Sequence, residues 1–543
     1  MKKLISVLLI TLVLTLLLAA CNRDNGTQEP AAPTPAPQEQ EQPPAEPDES
    51  EPEEPEGFQV FTEGFPIVSE PITLTVFGQQ GAVHADWQDM DVWIALSEKT
   101  GINFEFDLAL PTGFAERRAL MFASDDLPDM MIRAMLSNSE IVRHGIGGSL
   151  LALNDLLPVY GQHYYAHMQA NPDIAPRITT PHGNIYALAA IITPTAARSP
   201  KMWLNMDWLA QTGLDVPTTI DEFETMLRAF RDLDHGPDLG IPFFPFGAPS
   251  FGGLVNYFAG SWGFQNQFGV RMNVHDGVVS TWVADDGFKD MLMWIYNALN
   301  DGLIDPEIFT HDAARWSAMM QSHRYGFFFN QADDAFDSTN FIGIAPFAGR
   351  SPVQYAHAGP IARDQGTFAI STQAEHPNAA LRVVDYFFSR EGSIFLRFGV
   401  EGVTWDWEDG MPTYRPGILD HPDGSGAQIS RFTIWPGGGA PQWLNYENAI
   451  AVMSPTTVAA QEALNPFIPP LIFPAPLFDL DTVERLSVLQ ADLHTFIDQN
   501  IAQFARGERP FSEWDDYVAT LYQIGLEEWV AIYQAALDTV MGR

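Results

Sequence analysis

"EPITLTVFGQQG" (residues 70–81) and "WQDMDVWIALSEKTGINFEF" (87–106) decide the fold class. Ile72, Leu74 and Val76 alternate with threonines, the period of a strand with one buried face. The stretch then ends at glycine and opens into a loop. Residues 87–106 give an amphipathic helix, a stop at Gly101 and a second strand. "ERRALMFASDDLPDMMI" (116–132) repeats the unit as helix, proline-containing turn and strand. This alternation predicts an α/β lobe around a largely parallel sheet. Ligands of such sheets sit at loops beyond the strand C-termini, which singles out Gln79 and Gln80, each a donor and an acceptor. An ordinary polar turn reads the same way.

Working outward, "KMWLNMDWLAQTGLDVPTTIDEFETMLRAFRDL" (201–233) holds a capping box at Thr219–Glu222 and an apolar helix face of Phe223, Met226, Leu227 and Phe230. Further helices are expected in 287–310 and 366–392, and 492–537 reads as helical nearly throughout. From Phe58 to Arg543 the chain is too long for one small core, so two lobes are expected. "FIPPLIFPAPLF" (467–478) is broken by four prolines and reads as a packed loop.

Toward the N-terminus, Lys2 and Lys3 precede an apolar run from Leu4 to Leu18, followed by "LAAC" at 18–21. This is an export signal with a positive head, apolar middle and small-residue exit. Its last residue, Cys21, is the only cysteine of the 543 residues. The pattern resembles a bacterial lipobox, in which that thiol takes a diacylglycerol and becomes the first residue of the mature chain. The apolar run is at the short end of what a membrane span needs. Asn22–Gly57 has nine prolines, eleven acids and one arginine, with no large apolar residue; it reads as a disordered, extended tether. Of the net charge of −41, the signal carries +2 and the tether −10, leaving −33 on the body. Such a surface repels nucleic acid and anionic lipid. With Cys21 lipidated, no disulfide is possible. A Gly-Lys dipeptide, G-x-S-x-G and H-E-x-x-H are all absent, which removes phosphate-loop, serine-elbow and zincin chemistry. His163 and His167 have a metal-compatible spacing that two exposed histidines explain as well. Nothing points to an enzyme.

Four phrases in order, "ASDDLPDMM" (123–131), "DWLAQTGLDVPTTIDEF" (207–223), "DGLIDPEIF" (301–309) and "EHPNAALRVVDYFFSREG" (375–392) with "GVEGVTWDWEDG" (399–410), resemble the carbohydrate-binding lipoproteins of bacterial ABC importers, family 1. Within it they are most similar to the long-chain branch of alginate- and pectin-fragment binders, and "GLEEWVAIYQAA" (525–536) agrees. The resemblance implies a two-lobe, periplasmic-binding-protein-like α/β fold (type II), with a ligand cleft between the lobes and a helical C-terminus. The expected division is a signal peptide at 1–20, lipidated cysteine and tether at 21–57, lobe 1 at 58–190 and 366–400, and lobe 2 at 191–365 and 401–543. It further implies an oligosaccharide ligand, separate permease and ATPase chains, a monomer, and a place on the extracellular face of the cell membrane.

Sugars stack their C–H faces on flat rings and need paired donors and acceptors around the rim. Of 65 aromatic residues, 14 are Trp. Trp93, Trp294, Trp514 and Trp529 fall in helical apolar patterns and read as core. Trp262 in "AGSWGF" and Trp405 in "GVEGVTWDW" lie beside glycines that let a ligand approach, and they match positions where the family places stacking aromatics. Trp203, Trp407 and Trp435 follow. For the hydroxyls the candidates are Gln79, Gln80, Asp129 and Glu401, with backbone capping the other reading of Asp129. Several relatives carry a calcium loop where this chain has "RDLDHGPDLGIP" (231–242). Here the ligand rhythm that calcium needs is missing, so no metal and no cofactor are expected. A peptide-binding lipoprotein and a tethered surface glycosidase are the alternatives to a sugar binder.

Overall fold

The computed structural model describes residues 57–543 except 236–241, 334–335, 420–424, 437, 474 and 542–543. Cys21 and most of the tether lie outside the described residues. Phe58–Arg543 form one compact unit. In chain order its strands are β1 (Ile72–Gln79), β2 (Ile102–Ala109), β3 (Met130–Leu136), β4 (Ala187–Ile192), β5 (Lys201–Asn205), β6 (Phe244–Gly247), β7 (Met272–His275), β8 (Val278–Thr281), β9 (Tyr325–Asn330), β10 (Phe341–Ile344), β11 (Ala362–Ile370), β12 (Trp405–Glu408), β13 (Met411–Tyr414) and β14 (Trp443–Leu444). One sheet has the order β14-β4-β11-β3-β1-β2 and a second the order β10-β5-β9-β6.

The opening stretch behaves as its alternation requires. Leu74 and Val76 are buried while Thr73 and Thr75 are exposed, and β1 pairs in parallel with β2 and β3. The intervening helix, Asp91–Thr100, buries Trp93 and Leu96 and ends at Gly101, whose φ of 76° only glycine adopts without strain. The second sheet packs on the helix Ile220–Arg231, capped by Thr219 and Glu222, whose Phe223, Met226, Leu227 and Phe230 enter a core shared with Phe246 and Phe327. Three C-terminal helices, Leu480–Arg506, Trp514–Ile524 and Leu526–Val540, bury Leu493, Trp514 and Trp529 in that same core.

The division between lobes differs from the expected one. β4 runs to Ile192 and β11 starts at Ala362, so both sheet ends extend past the expected boundaries. More importantly, the β12–β13 hairpin and β14 stay with the first lobe. The β12–β13 hairpin packs Trp405 and Tyr414 on Ile394 and Phe398, and β14 pairs with β4, Leu444 opposite Ile192.

Three segments cross between the sheets: 193–200 from β4 to β5, 345–361 from β10 to β11, and 445–454 from β14 to the helix Pro455–Leu464, which packs on β10 and β5. Their registers fix which ends face each other. On the first sheet they leave from Ile191 opposite Ala362 and Ile192 opposite Leu444. On the second they join at Lys201 opposite Asn330 and Met202 opposite Ile344. The C-terminal ends of β3 and β4 therefore look across the crossings at the C-terminal ends of β9 and β10.

Candidate functional site

The first wall is built by the ends of β1 and β3. Gln79 and Gln80 are half-buried there, and Gln80 Nε2 donates to Ala85 O at 3.0 Å. Arg133, 1% exposed, donates from Nε to Gln79 O (2.9 Å) and from Nη1 to Ile434 O (2.7 Å) and Pro436 O (3.0 Å). His84 Nε2 lies 3.1 Å from the same Pro436 carbonyl, and burial with the neighbouring Arg133 charge lowers its pKa to about 4. Between those carbonyls, half-buried Trp435 donates Nε1 to Arg397 O at 2.6 Å and takes the Arg397 guanidinium on its face, 3.4 Å from the ring centre.

The second wall follows β6 and β9. The helix Phe251–Phe258 places Asn256 and Tyr257 there, and Tyr257 meets His357 edge-on at 5.3 Å and Phe329 at 5.6 Å. Asn256, Gly260, Asn266, Tyr355, His357 and Ile472 line a cavity of about 20 Å³, space for one water. Burial lowers the His357 pKa to about 4 and raises that of Tyr257, so both are neutral at pH 7. Amides, phenols and a neutral imidazole present donors and acceptors without charge.

Of the residues expected from sequence, Gln79, Gln80 and Trp435 come together at the facing ends. Trp262 is 4% exposed and donates its indole N–H to Asp290 at 2.9 Å inside the second core. Trp405 is 5% exposed and bonds Gly399 O at 3.0 Å; Trp203 is fully buried and bonds Asn330 O at 3.1 Å. Beside Trp262 and Trp405, a Cβ on Gly260, Gly263 or Gly399 would meet Tyr355 O, Ser351 Oγ or Thr404 Oγ1 within 2.5 Å, so these three glycines serve close chain packing. Asp129 is at the other end of β3, where its carboxylate accepts from Thr75 N, Thr75 Oγ1 and Glu375 N, the capping role. Glu401 is exposed in the turn before β12, and Trp407 is exposed on the hairpin.

His163 and His167 are structural: His163 Nδ1 pairs with Asp385 at 2.8 Å and His167 Nε2 lies 2.9 Å from Phe388 O. Of the calcium-loop region, 236–241 lies outside the described residues. Asp232 pairs with Arg231 at 2.8 Å.

Sequence reasoning missed Arg133, Tyr257, Tyr355 and His357. A signal existed for the first: "MMIRAML" (130–136) sets one arginine in an otherwise apolar strand. The other three carry no pattern that separates them from core aromatics.

A family profile described as "Bacterial extracellular solute-binding protein" matches residues 88–394. The fructooligosaccharide ABC transporter substrate-binding protein FusA of Streptococcus pneumoniae is 22% identical over 464 residues, 82% of this chain and 86% of its own. Lipoprotein LipO of Bacillus subtilis is 24% identical over 231 residues, 39% of this chain and 45% of its own. Among solved structures, the alginate-binding protein AlgQ2 without calcium superposes with a TM-score of 0.67 at 22% identity, covering 87% of this chain and 98% of its own. A solute-binding protein from Bifidobacterium longum infantis, associated with an HMO-binding ABC transporter, reaches 0.72 at 20% identity, covering 87% and 99%. These likenesses establish the two-lobe, periplasmic-binding-protein-like fold.

Proposed function

This chain belongs to the bacterial extracellular solute-binding protein family, and on that premise we propose that it captures an oligosaccharide between its two sheets and hands it to an ABC permease. The observation that carries this reading is the pair of facing sheet ends joined by three crossings, with a wall of uncharged amide, phenol and imidazole groups on one side. Sugar hydroxyls need such groups, and the half-buried rings of Tyr257 and Tyr355 supply flat apolar surface beside them. Two of the proteins it resembles are binding proteins by name, FusA for fructooligosaccharide and AlgQ2 for alginate. We read the chain as a non-enzymatic monomer without metal or cofactor, held by lipidated Cys21 on the outer face of the membrane.

The test is a thermal-shift and calorimetric panel of kestose, nystose, cellotetraose, xylotetraose, an alginate tetrasaccharide and an oligopeptide on the body starting at Phe58. A saccharide at about 100 times its dissociation constant adds ~2.7 kcal/mol of apparent stability. Stabilisation by the peptide alone would replace the sugar reading, and turnover of any saccharide would make the chain an enzyme. For the anchor, Cys21→Ser should release the protein from the detergent-extracted membrane fraction; a variant retained like wild type would sink the lipidation.

A further inference from the structure

Arg133 combines three properties that a routine core residue does not. It is 1% exposed, yet among the described residues it has no carboxylate partner and spends its charge on carbonyls of Gln79, Ile434 and Pro436. Those carbonyls belong to segments some 350 residues apart in sequence, the end of β1 and the run leading to β14. Its backbone is also left-handed, φ 51°, as is that of Met135 two residues on, inside a strand. Such non-glycine conformations are strained and persist where the surroundings over-determine them, as at active sites, ligand clamps and switch regions.

The surroundings here do over-determine them. A Cβ on Gly366 would lie 2.3 Å from Leu136 O, so β11 approaches β3 closer than any other residue allows. Met135 is 40% exposed at the strand end, and its sulfur would sit 2.2 Å from a Cβ on Gly439. His84 joins the same Pro436 carbonyl, and Ala85 N donates to Ser430 O at 3.2 Å, so the 79–85 loop and the 430–436 run are laced together around the guanidinium.

Resting on the carbohydrate reading of the cleft, we propose that Arg133 is the positioning residue of the first wall. Through three carbonyls it sets the strand-end loop bearing Gln79 and Gln80 against the run bearing Trp435, the arrangement that an oligosaccharide meets. Arg133 itself touches no ligand in this role. Its planar fork reaches acceptors on both segments at once, which a lysine ammonium at the end of a flexible stem cannot reproduce.

Arg133→Met and Arg133→Lys are compared with wild type by calorimetry against each saccharide of the panel above, well below their melting temperatures. Amide exchange over 79–85 and 430–436 is followed in the same samples. The expected result is faster exchange in both segments with the rest of the body unchanged. Affinity should fall about tenfold or more in Arg133→Met, with Arg133→Lys recovering only part of it. A purely structural role would lower the melting temperature and leave affinity of the folded protein within twofold of wild type; that outcome overturns the assignment. Should Arg133→Met fail to fold, Arg133→Lys alone decides between the same two outcomes. Wild-type silence across all saccharides would instead sink the carbohydrate reading, and this assignment with it.

Discussion

Lys201 is one of only five lysines in the chain and is fully buried at the start of β5, its ammonium donating to Ala196 O and to Ser199 O within the first crossing. Burial lowers its pKa from 10.5 to about 7, and the Asp333 charge opposes that shift. Below pH 7 both folded and unfolded chains hold the proton, so the full cost of burying the charge is present. Between about pH 7 and 10.5 the unfolded chain binds the proton and the folded one does not, so stability rises with pH through that window. A neutral amine still has N–H groups for both carbonyls. Wild type should therefore gain stability relative to Lys201→Met as pH goes from 6 to 10, measured by denaturant unfolding; a pH-independent difference would show that the charge is not felt. The tryptophans carry a second expectation. Trp262 and Trp405 sit in cores with their indole N–H groups satisfied, so replacing either by Ala should cost ~3–5 kcal/mol of unliganded stability. Loss of affinity at unchanged stability would return that residue to the cleft. At this scale the sequence was legible where periodicity separates faces, as at Trp93 in its helix. It was not legible where a tryptophan stands beside glycine, because a glycine that admits a ligand and one that admits a neighbouring chain look the same.

Elements of regular period were read well, and those without one were not. β1 with its helix and β2, and the capped helix after Thr219, follow from alternation, apolar spacing and stop residues. β14 is two residues long and has no period to read, yet it returns the chain to the first sheet after the β12–β13 hairpin. The crossings are equally silent in sequence, being positioned by backbone contacts between distant segments. Gly260 shows how tightly. Tyr355 N donates to Gly260 O at 2.9 Å, and a Cβ on Gly260 would lie 1.7 Å from Tyr355 O. The turn Ala259–Trp262 and the second crossing thus share a contact with no room for a side chain. Gly260→Ala should destabilise the body by about 1–3 kcal/mol, the usual cost of overpacking, and weaken saccharide binding because Tyr355 and His357 move with the crossing. Calorimetry with the panel and urea unfolding together check this. Unchanged stability would mean that the crossing yields freely.

At the scale of the whole molecule, charge governs the response to ions. A body carrying −33 repels itself, so added salt screens that repulsion and any cation raises stability somewhat. A specific calcium site needs more: six to eight oxygens in one place, and binding confined to the folded state. Among the described residues no group of three or more His, Cys, Asp or Glu side chains is placed to hold a metal, and the Asp232 carboxylate is taken up by Arg231. Pro237 in the same segment lacks an N–H and restricts its neighbours, against the wrapping that a cation demands. Diffuse screening of an acidic surface follows ionic strength, not which ion supplies it. Calcium, magnesium and chelator in sodium chloride should therefore give one melting temperature once ionic strength is matched. A rise specific to calcium, not reproduced by magnesium and abolished by Asp232→Ala, would establish a site in the 231–242 segment and overturn the metal-free reading.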